Sequence, residues 1–235
     1  MGTKYKEVCS AMEKDIAEGR YDATRKLNTE DAYIEEYNVS RNTIRNAIDL
    51  LIKRGRCFPI QGSGVFLRRK SPALSFDLEN IDGLTRKMAP LPVSNEVIEF
   101  KEIAADEAMA DNLEIPLGSP LYYVERMRYV DGKPYFYEYA YLNKKLMPGF
   151  DKDSAEGSIF DYLNEDITLR VAFVDLVIQA VKINHNEAVK FRLNEGDPGL
   201  MMLGFTMIRT GEVVQFCRTV CHYENVRFLK LASYF

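Results

Sequence analysis

The 235 residues contain no tryptophan, two histidines and four cysteines. Cys9, Cys57, Cys217 and Cys221 show no CxxC spacing and are too few for a disulfide scaffold, so reduced, buried thiols are expected. Cys217, Cys221 and His222 lack the fourth ligand that zinc takes, and no second ligand pair exists, so neither a metal nor a cofactor is expected. No stretch approaches eighteen consecutive apolar residues, which excludes a membrane-spanning helix. Residues 1–14 alternate charged and apolar side chains without the apolar core of a signal peptide, giving a cytoplasmic expectation. Gly2 is followed by Lys6 where a myristoylation motif takes serine or threonine.

What is present is charge, unevenly divided. Net charge is −4 overall. Residues 1–70 hold 14 Lys+Arg against 10 Asp+Glu, and the remaining 165 hold 17 against 25. A basic first part at +4 is thus joined to an acidic second part at −8. Between positions 41 and 70, eight cations face only Asp49. A small basic module beside a larger acidic one suits a nucleic-acid reader with a separate sensor.

The apolar positions Tyr5, Val8, Cys9, Met12 and Ile16 recur at helical spacing, predicting an amphipathic helix that ends near Gly19. A second helix begins around Asn28 or Thr29, with Glu30 and Asp31 in its first turn, and runs to about Tyr37. Ser40 can cap a third whose inward face is Ile44, Ala47, Ile48 and Leu51. Its outward face carries Arg41, Asn42, Arg45 and Asn46, side chains suited to guanine, adenine and phosphate. Residues 57–67 read as two short strands around Gln61, Gly62, Ser63 and Gly64, a tip small enough to approach a duplex.

The run Val39, Ser40, Arg41, Asn42, Thr43, Ile44, Arg45, Asn46, Ala47, followed at the right distance by Gln61, Gly62, Ser63, Gly64, Val65, Phe66, resembles the GntR family of winged-helix repressors. The resemblance implies a winged helix-turn-helix over residues 1–70 that binds double-stranded operator DNA. The DNA-contacting residues are then Thr29, Ser40, Arg41, Asn42, Thr43, Arg45, Gln61, Gly62, Ser63 and Gly64. Asp31 stands where that family frequently has a DNA-contacting arginine.

Residues 71–92 include Pro72, Pro90 and Pro92 with little periodicity and read as a connector. Beyond it the chain repeats itself. Ala105-Asp106-Glu107-Ala108, Gly118-Ser119-Pro120 and Asp131-Gly132 are echoed by His185-Asn186-Glu187-Ala188, Gly196-Asp197-Pro198 and Thr210-Gly211. Each unit reads as strand, short helix, tight turn and hairpin, and two units predict one antiparallel sheet with helices on a face, making residues 93–235 an α+β domain.

In the first hairpin Tyr122, Val124, Arg126, Arg128 and Val130 share a face, so two arginines stand about 7 Å apart along the strand. Like charges at that spacing call for an anion between them. A bound carboxylate or phosphate would serve, and so would a protein acid such as Glu125 or Glu138. Hairpin geometry decides which side Glu138 takes. A two-residue turn at Asp131-Gly132 puts it on the face opposite the arginines, and a three-residue turn 130–132 with a bulge brings it to them; the second is expected. Tyr135, Tyr137, Tyr139 and Tyr141 alternate on the partner strand and are expected in core or dimer packing.

The segments Ser94-Asn95-Glu96-Val97, Tyr122 to Tyr129, Pro148-Gly149, Ser158 to Leu163 and Phe216-Cys217-Arg218 resemble the UTRA effector domain of the HutC-type branch, whose fold is similar to chorismate lyase. The resemblance implies a ligand cleft lined by Arg126, Arg128, Glu138, Ser158, Phe160 and Gln215. The combined expectation is a homodimeric regulator, in this family usually a repressor, controlled by a small anionic effector such as a sugar phosphate or carboxylate. The rivals are an enzyme acting on a small carboxylate and a DNA-binding protein with no ligand. Against the enzyme, no histidine or cysteine adjoins the arginines in sequence.

Overall fold

A computed structural model describes residues 4–69, 75–78, 88, 91–165 and 169–230. The chain divides into two compact units, built chiefly from residues 1–73 and 81–228.

In the first unit α1 (Lys4–Ala17), α2 (Glu30–Tyr37) and α3 (Arg41–Lys53) are followed by β1 (Cys57–Ile60) and β2 (Gly64–Leu67). The predicted inward stripe Ile44, Ala47, Ile48 and Leu51 is buried with Val8, Cys9 and Met12 of α1 and Tyr33 of α2. Truncating one such large side chain costs about 2–5 kcal/mol, so this one cluster holds the three helices together. Both predicted helix starts carry their caps: Thr29 Oγ1 accepts from Ala32 N at 3.3 Å and Ser40 Oγ from Thr43 N at 3.2 Å. Asn38, at φ 50°, closes α2 in the left-handed conformation that asparagine tolerates, which turns the chain into α3.

β1 and β2 pair antiparallel from Cys57↔Leu67 to Ile60↔Gly64. Residues 25–27 run along the outer edge of β2, Leu27 N donating to Val65 O at 2.9 Å and Leu67 N to Arg25 O at 2.7 Å. This edge segment has no periodicity of its own to announce it.

The second unit contains β4 (Val93–Ala104), α4 (Glu107–Leu113), β5 (Pro120–Val130), β6 (Lys133–Asn143), α5 (Lys152–Glu156), α6 (Ile159–Glu165), β7 (Val171–Lys182), α7 (His185–Phe191), β8 (Pro198–Ile208) and β9 (Val213–His222). The six long strands form one antiparallel sheet in the order β4-β5-β6-β9-β8-β7. The repeat read from the sequence is therefore a structural one: β4-α4-β5-β6 and β7-α7-β8-β9 are equivalent halves, joined where β6 pairs with β9.

The repeat helices α4 and α7 cover one face. Leu113 of α4 packs with Leu121 and Phe216, and Ala188 and Phe191 of α7 with Met127, Tyr137 and Val220. The sequence reading put helices on a single face. The segment between the repeats adds α5 and α6 to the other, where Ala155, Ile159 and Leu163 cover Tyr122, Val124, Ala140 and Leu142. Central strands that are apolar on both faces need cover on both.

Of the expected connector 71–92, only 75–78, 88 and 91–92 lie within the described residues. There β3 (Ser75–Asp77) pairs with β10 (Arg227–Leu229). Phe76 is buried edge-on against Phe136, with ring centroids 5.0 Å apart. Among the described residues no helix is long and apolar enough to cross a membrane.

Candidate functional site

In the first unit the residues expected at DNA gather on one surface. Arg41, Asn42, Arg45 and Asn46 are exposed on α3, and Gln61, Gly62, Ser63 and Gly64 are exposed at the tip between β1 and β2. Gly62 and Gly64 adopt φ of 73° and 116°, so the tip depends on residues without a Cβ. Thr29, Arg45, Ser63 and Gly64 line a groove of about 400 Å³ between α2, α3 and the hairpin. Thr29 and Ser40 act here as helix caps, and Thr43 lies 2.9 Å from the Ser40 hydroxyl, so these three side chains hold α2 and α3 in shape at the surface they present.

The surface also contains acids that the sequence reading left out of it. Glu30 accepts from Arg45 Nε at 3.0 and 3.1 Å and from Arg41 Nη1 at 3.2 Å, and Asp31 accepts from Arg41 Nη2. Farther back, Glu13 pairs with Arg54 at 2.8 Å and lies 3.9 Å from Arg56. Four of the eight cations between positions 41 and 70 are thus matched internally, and the basic excess is smaller at the surface than along the chain.

Lys26 was also missed. It sits in the edge segment beside β2, lines the same groove, and holds its ammonium 5.8 Å from the Phe66 ring centroid. A Cβ at Gly64 would come within 2.9 Å of Lys26 Cε. The Arg25-Lys26 pair was visible in the sequence; its position beside the hairpin was not.

In the second unit the decisive geometry is the β5–β6 hairpin. Val130 pairs with Lys133, so Asp131 and Gly132 form a two-residue turn, both at positive φ (50° and 71°). The expected three-residue turn is not formed, because Asp-Gly favours a turn with both central residues left-handed. The bulge is present but displaced. Arg128 pairs with Phe136 and Tyr129 with Pro134, leaving Tyr135 as the extra residue. Pro134 has no N–H to give the ladder, and such residues collect at bulges. The shift of one residue puts Glu138 directly across from Arg126, on the arginine face as expected. It also diverts Tyr135 into the cluster around Phe76 and Phe136, while Tyr137 and Tyr139 stay on the α7 side.

Glu138 fills the position between the two arginines. Arg126 Nη2 donates to its carboxylate at 3.0 and 3.3 Å and Arg128 Nη1 at 3.4 Å. Arg126 Nη1 donates to the Ala155 and Gly157 carbonyls at 2.8 and 3.0 Å, binding the end of α5 to the sheet. Arg128 Nε donates to Asn95 Oδ1 at 2.9 Å, and Asn95 Nδ2 donates in turn to the Glu156 and Gly157 carbonyls. Asn95 is a member of the cluster that the sequence reading did not select. Glu125, the other acid considered, lies on the opposite face and accepts from Tyr123 and Tyr137.

Arg126 is 2% exposed, Glu138 6% and Arg128 11%. Two guanidiniums against one carboxylate leave the buried cluster one positive charge in excess. Burial opposes charging Glu138, but Arg126 and Arg128 together hold its carboxyl below the usual range. Burial, followed by repulsion from Arg126, brings the Arg128 guanidinium down to about 10. Among the described residues nothing bonds Arg126 Nε or Gln215 Oε1, both buried.

Ser158 and Phe160 are half-buried at the start of α6, beside the Gly157 carbonyl that Arg126 holds, and Ser158 Oγ accepts from Asp161 N at 3.2 Å. Gln215 is more distant. It pairs with Leu142, four residues along β6 from Glu138, roughly 13 Å away in strand rise. Between them on β9 stand Thr219, opposite Glu138, and Cys217. Cys217, partly buried and beside Glu138, has its thiol pushed up to about 12 by burial and by that carboxylate. Gly204 faces Cys217 across β8–β9, and a Cβ there would fall 2.8 Å from the thiol sulfur. The structure thus brings together Arg126, Arg128, Glu138 and the 157–158 turn, and leaves Gln215 at the far end of the same face.

Comparison with known proteins accounts for both units. Residues 4–67 match the model for bacterial regulatory proteins of the gntR family, and residues 90–227 the UTRA domain. The chain is 27% identical over 232 residues to the HTH-type transcriptional regulator YydK of Bacillus subtilis, covering 99% of this chain and 98% of YydK. It is 33% identical to the B. subtilis regulator YurK, over 90% of this chain and 87% of that one. The Escherichia coli mannosyl-D-glycerate transport/metabolism system repressor MngR is 24% identical over 99% of this chain and 98% of its own length. The crystal structure of YydK superposes with a TM-score of 0.87 at 26% identity, covering 98% and 99% of the two chains. These relatives and both domains are those of transcriptional regulators and not of enzymes. The chain belongs to the GntR family of DNA-binding transcriptional regulators, in the HutC-type branch whose second domain is UTRA.

Proposed function

We propose that this chain acts as a homodimeric repressor whose operator affinity is set by a small anionic metabolite, a sugar phosphate or a sugar carboxylate. The observation that carries the reading is the buried cluster of Arg126, Arg128 and Glu138 with its one uncompensated positive charge. An unpaired buried charge is costly, and an anionic guest is the group that relieves it. Arg128 is the member that meets the guest, since its Nη2 has no partner among the described residues. Ser158, Phe160 and Gln215 then line the remainder of the cleft. The relative MngR is named for a mannosyl-D-glycerate system, and a glycosylated glycerate is a sugar carboxylate.

On the DNA side, Arg41, Asn42, Arg45 and the tip at 61–64 contact the duplex, with Thr29, Ser40 and Thr43 supporting them. One such module reads too few base pairs for a unique site, and a two-fold dimer doubles the contacts on a near-palindromic operator. The effector changes operator affinity by preferring one conformer of the dimer, with a coupling of typically about 1–3 kcal/mol. The test is a thermal-shift screen of sugar phosphates and sugar acids against the full chain, followed by operator binding with each hit. A metabolite that raises the melting temperature and alters operator affinity supports the reading. Indifference to every anion in the panel, with operator binding intact, favours a DNA-binding protein with no ligand.

A further inference from the structure

Where a helix enters the major groove of a duplex and a hairpin tip enters the minor groove, the sugar-phosphate strand that separates the two must pass between helix and tip. In the first unit that passage is the groove with Arg45 on one side and Ser63 and Gly64 on the other. The apolar part of its lining, Ile48, Ile52 and Val65, offers a phosphate no side-chain donor. Its charged groups are two acids, Glu30 and Asp49, and two cations, Arg45 and Lys26. Arg45 Nε is held by Glu30. α2 begins at the same groove, but Glu30 and Asp31 in its first turn already answer the positive end of that helix. Asp49 is exposed one turn along α3 from Arg45. Without Lys26 the lining would set two carboxylates against one guanidinium and repel a phosphate, and Lys26 brings it to neutrality.

Lys26 is held in place without being neutralised. Its backbone bridges to Phe66, and the bonds on either side, from Leu27 to Val65 and from Leu67 to Arg25, fix the segment against β2. Its stem runs beside Gly64, the position where a Cβ would crowd Cε, and its ammonium faces the Phe66 ring. A contact with a ring face leaves the ammonium's N–H donors for a phosphate oxygen. Among the described residues Lys26 forms no ion pair, whereas Arg41 and Arg45 both do. Arg25 beside it is committed to the Leu67 carbonyl at 2.8 Å.

We infer that Lys26 is a phosphate-binding residue of the DNA interface, its ammonium donating to the strand that passes between α3 and the hairpin tip. This rests on the docking of α3 and the tip given under the proposed function, and it adds a contact from a third element, the edge segment. The contact fixes the module on the duplex and carries no base information, so it strengthens operator and random binding alike.

Fluorescence anisotropy of the full chain on a labelled random-sequence duplex, across a salt series, tests the contact. Lys26→Met keeps an apolar stem beside Gly64 and Phe66 and removes the charge. It is expected to weaken binding several-fold at low salt and to flatten the log–log salt slope by about one unit, with the melting temperature unchanged. Lys26→Arg is expected to restore the slope. Lys14→Met, on the exposed side of α1, is expected to leave it as in wild type. A Lys26→Met slope equal to that of wild type, one that arginine does not restore, or one matched by Lys14→Met overturns the contact. Wild-type binding with no salt dependence overturns the docking on which it rests.

Discussion

Asp31 at the start of α2 and Arg41 at the start of α3 are joined by an ion pair, and Glu30 beside it holds both Arg41 and Arg45. In the proposed DNA contact the arginines of α3 start out engaged by carboxylates, which each phosphate or base contact must displace. An exposed, solvent-screened pair of this kind contributes little to folding, so its expected effect falls on DNA binding rather than on stability.

Asp31→Asn is expected to raise affinity for random duplex several-fold and to steepen the log–log salt dependence by about one unit, with the ratio of operator to random binding reduced. Fluorescence anisotropy across a salt series measures all three. Loss of operator affinity with random binding unchanged would show instead that Asp31 touches a base.

Arg41→Ala and Arg45→Ala are expected to act in the opposite direction. Each should weaken operator binding by about 1–3 kcal/mol if it reads a base, or flatten the salt slope by about one unit if it meets phosphate. A variant with both quantities unchanged removes that residue from the interface.

The two arginines of the UTRA cluster should separate into different roles. Arg126 bonds to Glu138 and to the end of α5, so Arg126→Ala is expected to destabilise the domain by about 3–5 kcal/mol in urea denaturation. Arg128 is less committed, and Arg128→Gln is expected to cost less stability while abolishing the thermal shift produced by an anionic effector. Retention of that shift in Arg128→Gln would place the anion elsewhere.

Glu138 gives the domain a defined acid sensitivity. Its folded pKa is below the unfolded value of about 4.3, so its contribution is complete above that pH and drains away as pH falls through the lower folded value. Urea midpoints measured between pH 3 and 6 should fall at the acid end for wild type and be flatter there for Glu138→Gln. Equal slopes in the two proteins would mean that the carboxylate is not held down.

Helix positions, caps and the doubled unit were legible because each is a local signal. Ile44, Ala47, Ile48 and Leu51 declare a face by spacing, and Thr29 and Ser40 declare helix starts by residue type. The arginine pair on β5 was visible by alternation alone. The route by which Glu138 reaches it was not, because a single extra residue at Tyr135 reverses every side chain beyond it, and Pro134 beside it signals a bulge without fixing which residue is the extra one. Asn95, Lys26 and the acids at α2 escaped for a different reason. Each acts on a residue from another element, and pairing between elements is a property of the fold.

Counting from the hairpin turns, Gly204 facing Cys217 in the second repeat occupies the place that Arg126 facing Glu138 occupies in the first. The backbone is repeated, but the ionic pair is present in one half only. Despite its internal symmetry the domain should therefore hold a single guest, and calorimetric titration should saturate at one metabolite per polypeptide.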